Sequence, residues 1–225
     1  MYRAVIFDVD GTLVDSNDAH AQAWVEALSE RGRHVEFTRV RPLIGIGGDK
    51  LLPTIAGLSV DSPEGEAVSK RRGEIFLQRF VPRLQPTRGA RELLQSLRDD
   101  NLKLYVATSA KKAELDPLLR VAGADRFMEA TTSSDDADRS KPDPDIVVAA
   151  LKQTGRPKHE AIMIGDTPYD VEAALRAGIN IIALRSGGWQ DRDLQGALAV
   201  YDDPADLLNH YELSPFRRPA PARSA

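Results

Sequence analysis

The sequence predicts an α/β fold, a doubly wound parallel five-stranded sheet with an α-helical segment inserted after its first strand. Three observations carry this. From about residue 86 onward, short apolar runs alternate with helical patterns, the signature of parallel strands joined by helical crossovers. The runs are rich in Val, Ile, Leu and Ala, as strands buried on both faces must be. Residues 16–82 break the alternation, holding helical patterns and no strand pattern.

Taken in order, Ala4–Phe7 is a fully apolar first strand that runs directly into Asp8-Val9-Asp10-Gly11-Thr12. Two carboxylates therefore stand at a strand's carboxyl end, the edge where open parallel sheets bind ligands. Residues 19–31 form an amphipathic helix with Ala23, Trp24, Ala27 and Leu28 on one face. Gly45-Ile46-Gly47-Gly48-Asp49-Lys50 is a glycine-rich turn opening a helix. It reads equally as a loop between two helices or as an anion-binding turn from which Lys50 reaches a charged substrate group. Arg71 and Arg72 read as a solvated helix face. The insert leaves and returns at the sheet end carrying Asp8, near residues 14–16 and 81–85, which are hinge candidates.

Beyond the insert, the pattern gives a helix at 89–100, a strand at 103–108, and a helix at 117–122 with Asp116 as N-cap and Gly123 past its end. A strand at 126–130 precedes a helix at 144–154 capped by Asp143. The third crossover joins a strand at 161–165 to one at 179–184 through a helix at 171–177 closed by Gly178. The expected catalytic core is residues 1–15 and 83–213, with the helical cap at 16–82. Residues 214–225, with three prolines and three arginines, are expected to form a disordered tail.

Composition narrows the function. At 225 residues and 42% hydrophobic, the chain can bury one large core with a smaller appendage. Its net charge of -4 and scattered basic residues argue against a nucleic-acid partner. No apolar run approaches the ~20 residues of a membrane span, and the N-terminus leaves no room for a signal peptide. The expectation is a cytoplasmic protein without a membrane partner. The lack of cysteine excludes disulfides, thiolate nucleophiles and Cys-ligated zinc. His20, His34, His159 and His210 show no metal-ligand spacing, so any metal is oxygen-ligated.

The motifs point to phosphoryl chemistry. Asp8 can act as nucleophile while Asp10 acts as acid and base. A carboxylate attacks phosphorus only if repulsion between two anions is suppressed. Gly165-Asp166-Thr167-Pro168-Tyr169-Asp170 brings two further acids to the same sheet edge, and four crowded acids call for Mg²⁺. Ala107-Thr108-Ser109 offers hydroxyls and backbone N–H groups to phosphate, and Lys141 offers a fixed positive charge.

The ordered set Asp8-Val9-Asp10-Gly11-Thr12, Thr108, Lys141-Pro142-Asp143-Pro144 and Gly165 to Asp170 resembles the four motifs of the haloacid dehalogenase superfamily, over roughly residues 3–210. The insert resembles the cap of the subgroup containing phosphoglycolate phosphatases and β-phosphoglucomutases. This resemblance implies Asp8 as nucleophile and Mg²⁺ ligand, Asp10 as acid/base and backbone-carbonyl ligand, Asp166 as ligand, Thr108 and Lys141 as phosphate binders, and Asp170 as a support behind them. Thr12, Ser109, His20 and Lys50 complete the candidate substrate contacts. His20 reads as a residue packed under the cap or as a proton shuttle, and Trp24 as core. The expected activity is a phosphatase acting on a small phosphorylated metabolite through an aspartyl phosphate. A phosphosugar mutase shares His20-Ala21-Gln22-Ala23-Trp24, but Gly165 stands where mutases carry an acid, and Ala110 and Lys112 where they carry Ser and Asn. A non-catalytic receiver module needs only ~120 residues and no insert.

Overall fold

A computed structural model describes residues 1–217. Its sheet has six parallel strands: β1 (Ala4–Phe7), β2 (Lys103–Ala107), β3 (Met128–Thr132), β4 (Ala161–Gly165), β5 (Asn180–Leu184) and β6 (Ala199–Tyr201), in the spatial order β3-β2-β1-β4-β5-β6. The chain winds outward from β1 in both directions, so the junction of β1 and β4 is the switch point at which ligand crevices open in such sheets. Phe7 lies in register with Val106 of β2 and Ile164 of β4. β1 therefore ends one residue before β2 and β4, which run on to Ala107 and Gly165, and all three finish at one edge.

Alternation within the strands feeds two cores. Val5, Phe7, Leu104, Val106, Ile162 and Ile164 face one layer, whereas Ala4, Ile6, Tyr105, Ala107, Ala161 and Met163 face the other. Helices α7 (Asp145–Thr154) and α8 (Pro168–Ala177) cover the second layer. The first is covered by α5 (Ala90–Asp99), α6 (Lys112–Ala122), α9 (Pro204–Asn209) and the helices of the insert. Those insert helices are α1 (Asn17–Ser29), α2 (Phe37–Val40), α3 (Gly48–Ala56) and α4 (Pro63–Ile75), the last continued by one π-helical stretch, Phe76–Phe80. Trp24, Leu28, Leu52, Val68 and Phe76 are buried in the same apolar cluster as the sheet's first layer.

The two segments joining insert to sheet run side by side. Val14 bridges to Pro86 in antiparallel fashion, Asp15 N–H donates to the Gln85 carbonyl at 3.0 Å, and Thr87 N–H donates to that of Leu13 at 3.0 Å.

Several expectations are corrected. The sixth strand, three half-exposed residues at the sheet edge, is too short for a pattern of its own. β3 begins two residues later than expected because Phe127 is held in a turn by its N–H bond to the Ala124 carbonyl. Helix α6 starts at Lys112, not after Asp116, with Pro117 inside it. Its buried stripe of Leu115, Leu118, Leu119 and Ala122 repeats at helical spacing across the proline, so packing overrides the break that proline usually imposes. Asp143 does not cap α7; its carboxylate pairs with Lys50 and Arg176. The expected tail begins with ordered chain: Ser214 is buried, and Phe216 stacks on Tyr211 at 5.7 Å and meets Tyr2 edge-on at 6.4 Å. The rest of that stretch lies outside the described residues.

Candidate active site

Asp8 follows β1, Thr108 follows β2 and Asp166 follows β4, so three adjacent strands deliver their next side chain to one point. A tight turn after Asp8 keeps the motif compact: the N–H groups of Thr12, Leu13 and Val14 all donate to the Val9 carbonyl. Gly11 makes the turn with φ +79°, and a Cβ there would stand 2.0 Å from Asp166 Oδ2. Gly187 approaches the same oxygen from the loop after β5, its Cβ position 2.3 Å away. Only glycine fits at either place.

Asp8, Asp166 and Asp170 are all buried, and each offers an oxygen within 4.8 Å of the others. Lys141 is wholly buried among them, donating to Asp8 Oδ1 at 2.5 Å and pairing with Asp170 Oδ1 at 2.7 Å. Three carboxylates against one ammonium leave excess negative charge out of water. Burial pushes the Asp8 carboxyl up to about 7, against the attraction of Lys141, and burial with the neighbouring Asp8 and Asp170 charges raises Asp166 well above the usual carboxylate range. Burial alone would lower Lys141, but Asp170 and Asp8 override it and hold its pKa above normal. Thr12 Oγ1 and Asn17 Nδ2 donate to the two Asp166 oxygens at 3.0 and 2.9 Å. Asp170 also closes a capping box on α8, its Oδ2 accepting from the Thr167 hydroxyl at 2.6 Å and backbone N–H at 3.1 Å.

Asp10 faces the other way around the same hollow. Its Oδ1 receives Ser16 Oγ and lies 2.7 Å from His20 Nε2. Arg72 donates from Nη2 to His20 Nδ1 at 2.9 Å. A guanidinium can only donate, so Nδ1 accepts and the ring proton sits on Nε2, directed at Asp10. Phe76 stacks under the ring at 3.8 Å, and Arg72 lies over Trp24 at 5.2 Å while its Nη1 pairs with Glu114 at 2.5 Å. Burial would raise Asp10; the His20 contact, with Ser16 and Arg72, outweighs it and holds the carboxyl below its ordinary value. Asp8, Asp10, Thr108, Ser109, His20 and Arg72 line one cavity of ≈ 40 Å³, which adjoins a chamber of ≈ 490 Å³ between insert and core.

The model of the haloacid dehalogenase-like hydrolase family matches residues 5–184. The chain belongs to this family. It is 30% identical over 213 residues to a phosphoglycolate phosphatase of Pseudomonas syringae pv. syringae, a match covering 92% of this chain and 78% of that one. It is also 34% identical over 190 residues to Protein SUPPRESSOR OF QUENCHING 1, chloroplastic, of Arabidopsis thaliana, spanning 81% of this chain but 18% of that longer protein. Among solved structures, a hydrolase from Pseudomonas syringae superposes with a TM-score of 0.86 at 34% identity, covering 93% and 98% of the two chains. A putative β-phosphoglucomutase from Bacteroides vulgatus gives 0.82 at 26% identity, over 94% and 88%.

Of the residues singled out in this haloacid dehalogenase-like chain, Asp8, Asp10, Thr108, Ser109 and His20 share the small cavity, with Lys141, Asp166 and Asp170 immediately behind it. Thr12 turns toward Asp166 instead of the cavity. Lys50 is not brought to the cluster: its ammonium is taken by the Ser140 carbonyl and, at 2.8 Å, by Asp143. Arg72 is corrected outright, from solvated helix face to half-buried site wall, whereas Arg71 does pair at the surface with Glu30. Asn17 and Glu114 escaped the sequence reading; Asn17 carried the faint signal of a polar residue just past the first motif. The donor set fits a hard divalent cation. Asp8 and Asp166 supply carboxylate oxygens, glycines 11 and 187 let the backbone close against Asp166, Asp170 is taken by Lys141 and Thr167, and the Asp10 carboxylate is engaged by His20 and Ser16.

Proposed function

We propose that this protein is a Mg²⁺-dependent phosphomonoesterase acting on a small phosphorylated metabolite, with residues 16–82 serving as a cap over the site. The observation that carries the reading is that Asp8 and Asp10 line one cavity from different sides, the first beside Lys141 and the second beside His20. Asp8 attacks phosphorus; the ester P–O bond breaks as the Asp8 O–P bond forms, and Asp10 gives its proton to the departing oxygen, releasing an alcohol. Water then attacks the aspartyl phosphate, returning a proton to Asp10 and freeing phosphate and the Asp8 carboxylate. Thr108, Ser109 and Lys141 hold the transferring oxygens. Mg²⁺, held by Asp8, Asp166 and the Asp10 backbone carbonyl, would neutralise charge between carboxylate and phosphate.

Phosphate release from p-nitrophenyl phosphate should vanish in Asp8→Asn and, for the wild type, in EDTA. Full turnover in either case overturns the mechanism. A mutase reading draws on the Bacteroides vulgatus neighbour, but a Cβ at Gly165 would stand 2.6 Å from Asp170 Cβ, leaving no room for an acidic side chain there. Conversion of glucose 1-phosphate to glucose 6-phosphate without free phosphate would establish that reading instead.

A further inference from the structure

The stretch of the insert that holds its glycine-rich turn, residues 41–50, seats on three loops of the core, and each seat adjoins a buried charge of the site. Arg41 Nη2 donates to the Gly187 carbonyl at 3.0 Å, beside Asp166. The Pro42 carbonyl accepts from the Tyr169 hydroxyl at 2.8 Å, and a Cβ at Gly45 would stand 2.9 Å from Thr167 Cγ2, beside Asp170. The third seat is Ser140, the residue before Lys141.

Ser140 is only 5% exposed, and each of its polar groups meets the turn. Its hydroxyl accepts from Gly47 N–H at 3.0 Å and donates to Asp49 Oδ1, its N–H donates to Asp49 Oδ2 at 3.4 Å, and its carbonyl accepts from Lys50 Nζ. Lys50 also pairs with Asp143 Oδ2 at 2.8 Å, so one ammonium holds the loop on both sides of Lys141. Arg176 of α8 grips the same loop, donating to the Pro142 carbonyl at 3.2 Å and to Asp143 Oδ1 at 2.7 Å. Gly47 owes its place to this approach: its φ is an ordinary -74°, but a Cβ would stand 2.5 Å from Ser140 Cβ. The glycine serves close packing and the Lys50 charge is already matched, which removes the two features that made the turn resemble an anion site.

Lys141 is wholly buried, so where its ammonium lies between Asp8 and Asp170 follows from where its backbone is held. We infer that Ser140 is a positioning residue for Lys141, and that the glycine-rich turn is a latch closing on it. Seating the insert and placing the phosphate-binding ammonium are then one event. The role of Lys141 toward phosphate rests on the phosphatase reading above; its placement by the turn does not.

The test follows Ser140→Ala, Lys50→Met and Lys50→Arg in the full chain. Three quantities are read: turnover of p-nitrophenyl phosphate, its inhibition by inorganic phosphate, and the rate at which acetic anhydride acylates Lys141, from peptide mass spectrometry. In Ser140→Ala and Lys50→Met alike, kcat should fall and the phosphate inhibition constant rise, each about tenfold, and Lys141 should acylate about tenfold faster. Lys50→Arg keeps donors for both partners and should bring all three readouts back to within about threefold of the wild type. Unchanged phosphate inhibition and Lys141 acylation in both variants would mean that the turn only docks the insert, and would overturn the inference even if the melting temperature fell. An effect confined to Lys50→Met also overturns it, because Lys50 would then act on the substrate through its own charge. If the wild type releases no phosphate, the phosphatase reading falls alone, and the acylation rates still decide whether the turn positions Lys141.

Discussion

Arg72 reaches His20 from the insert while His20 reaches Asp10 in the core, so the state of the proposed acid/base depends on a residue 62 positions away in the chain. Removing the ring should raise the Asp10 pKa. In His20→Asn, kcat should fall by about 10²-fold and the limb of the pH–rate profile that Asp10 sets should move to higher pH, both read from initial rates. Asp8 shows the opposite electrostatics. Its folded-state pKa near 7 exceeds the unfolded value, so the native state binds the extra proton, and between about pH 4 and 7 stability is lost as pH rises. Metal-free Asp8→Asn should therefore melt a few degrees above the wild type at pH 8, with the advantage vanishing toward pH 4. The acidic motifs were legible because strand, carboxylates and glycine are contiguous. Arg72 was not, since Arg71 and Arg72 are chemically identical neighbours and only the folded contacts of one with Trp24, His20 and Glu114 tell them apart.

Strand identities were legible wherever both faces are buried, as in β1 and β4. They blurred at the edges, where β3 and β6 are half solvated and lose the apolar run that marks a central strand. Helix starts were harder still. A proline in sequence says where a helix resists, and the stripe that holds α6 together regardless is visible only against the sheet. The start of α8 joins structure to chemistry, because Thr167 holds Asp170 and Asp170 holds Lys141. Thr167→Ala should lower stability by about 1 kcal/mol in urea unfolding. It should also reduce kcat, as Lys141 loses a fixed counter-charge.

Across the whole molecule, the order β3-β2-β1-β4-β5-β6 gathers motifs separated by more than 150 residues, a placement that the motif list implied but could not measure. The two cavities had no counterpart in the sequence at all, because their walls combine α4 of the insert with loops of the core. Millimolar Mg²⁺ should raise the melting temperature of the wild type, and Asp166→Asn should abolish that shift, as expected if the ion binds only where the native fold gathers Asp8 and Asp166. The seam between insert and sheet has a consequence for how such a molecule diversifies. Since residues 14 and 86 sit opposite each other as bridged neighbours, everything threaded between them enters and leaves through a doorway one residue pair wide. Exchanging its helices would leave the path of the chain through the sheet unchanged, but the replacement would have to supply again what His20 gives Asp10 and what Arg72 gives Glu114.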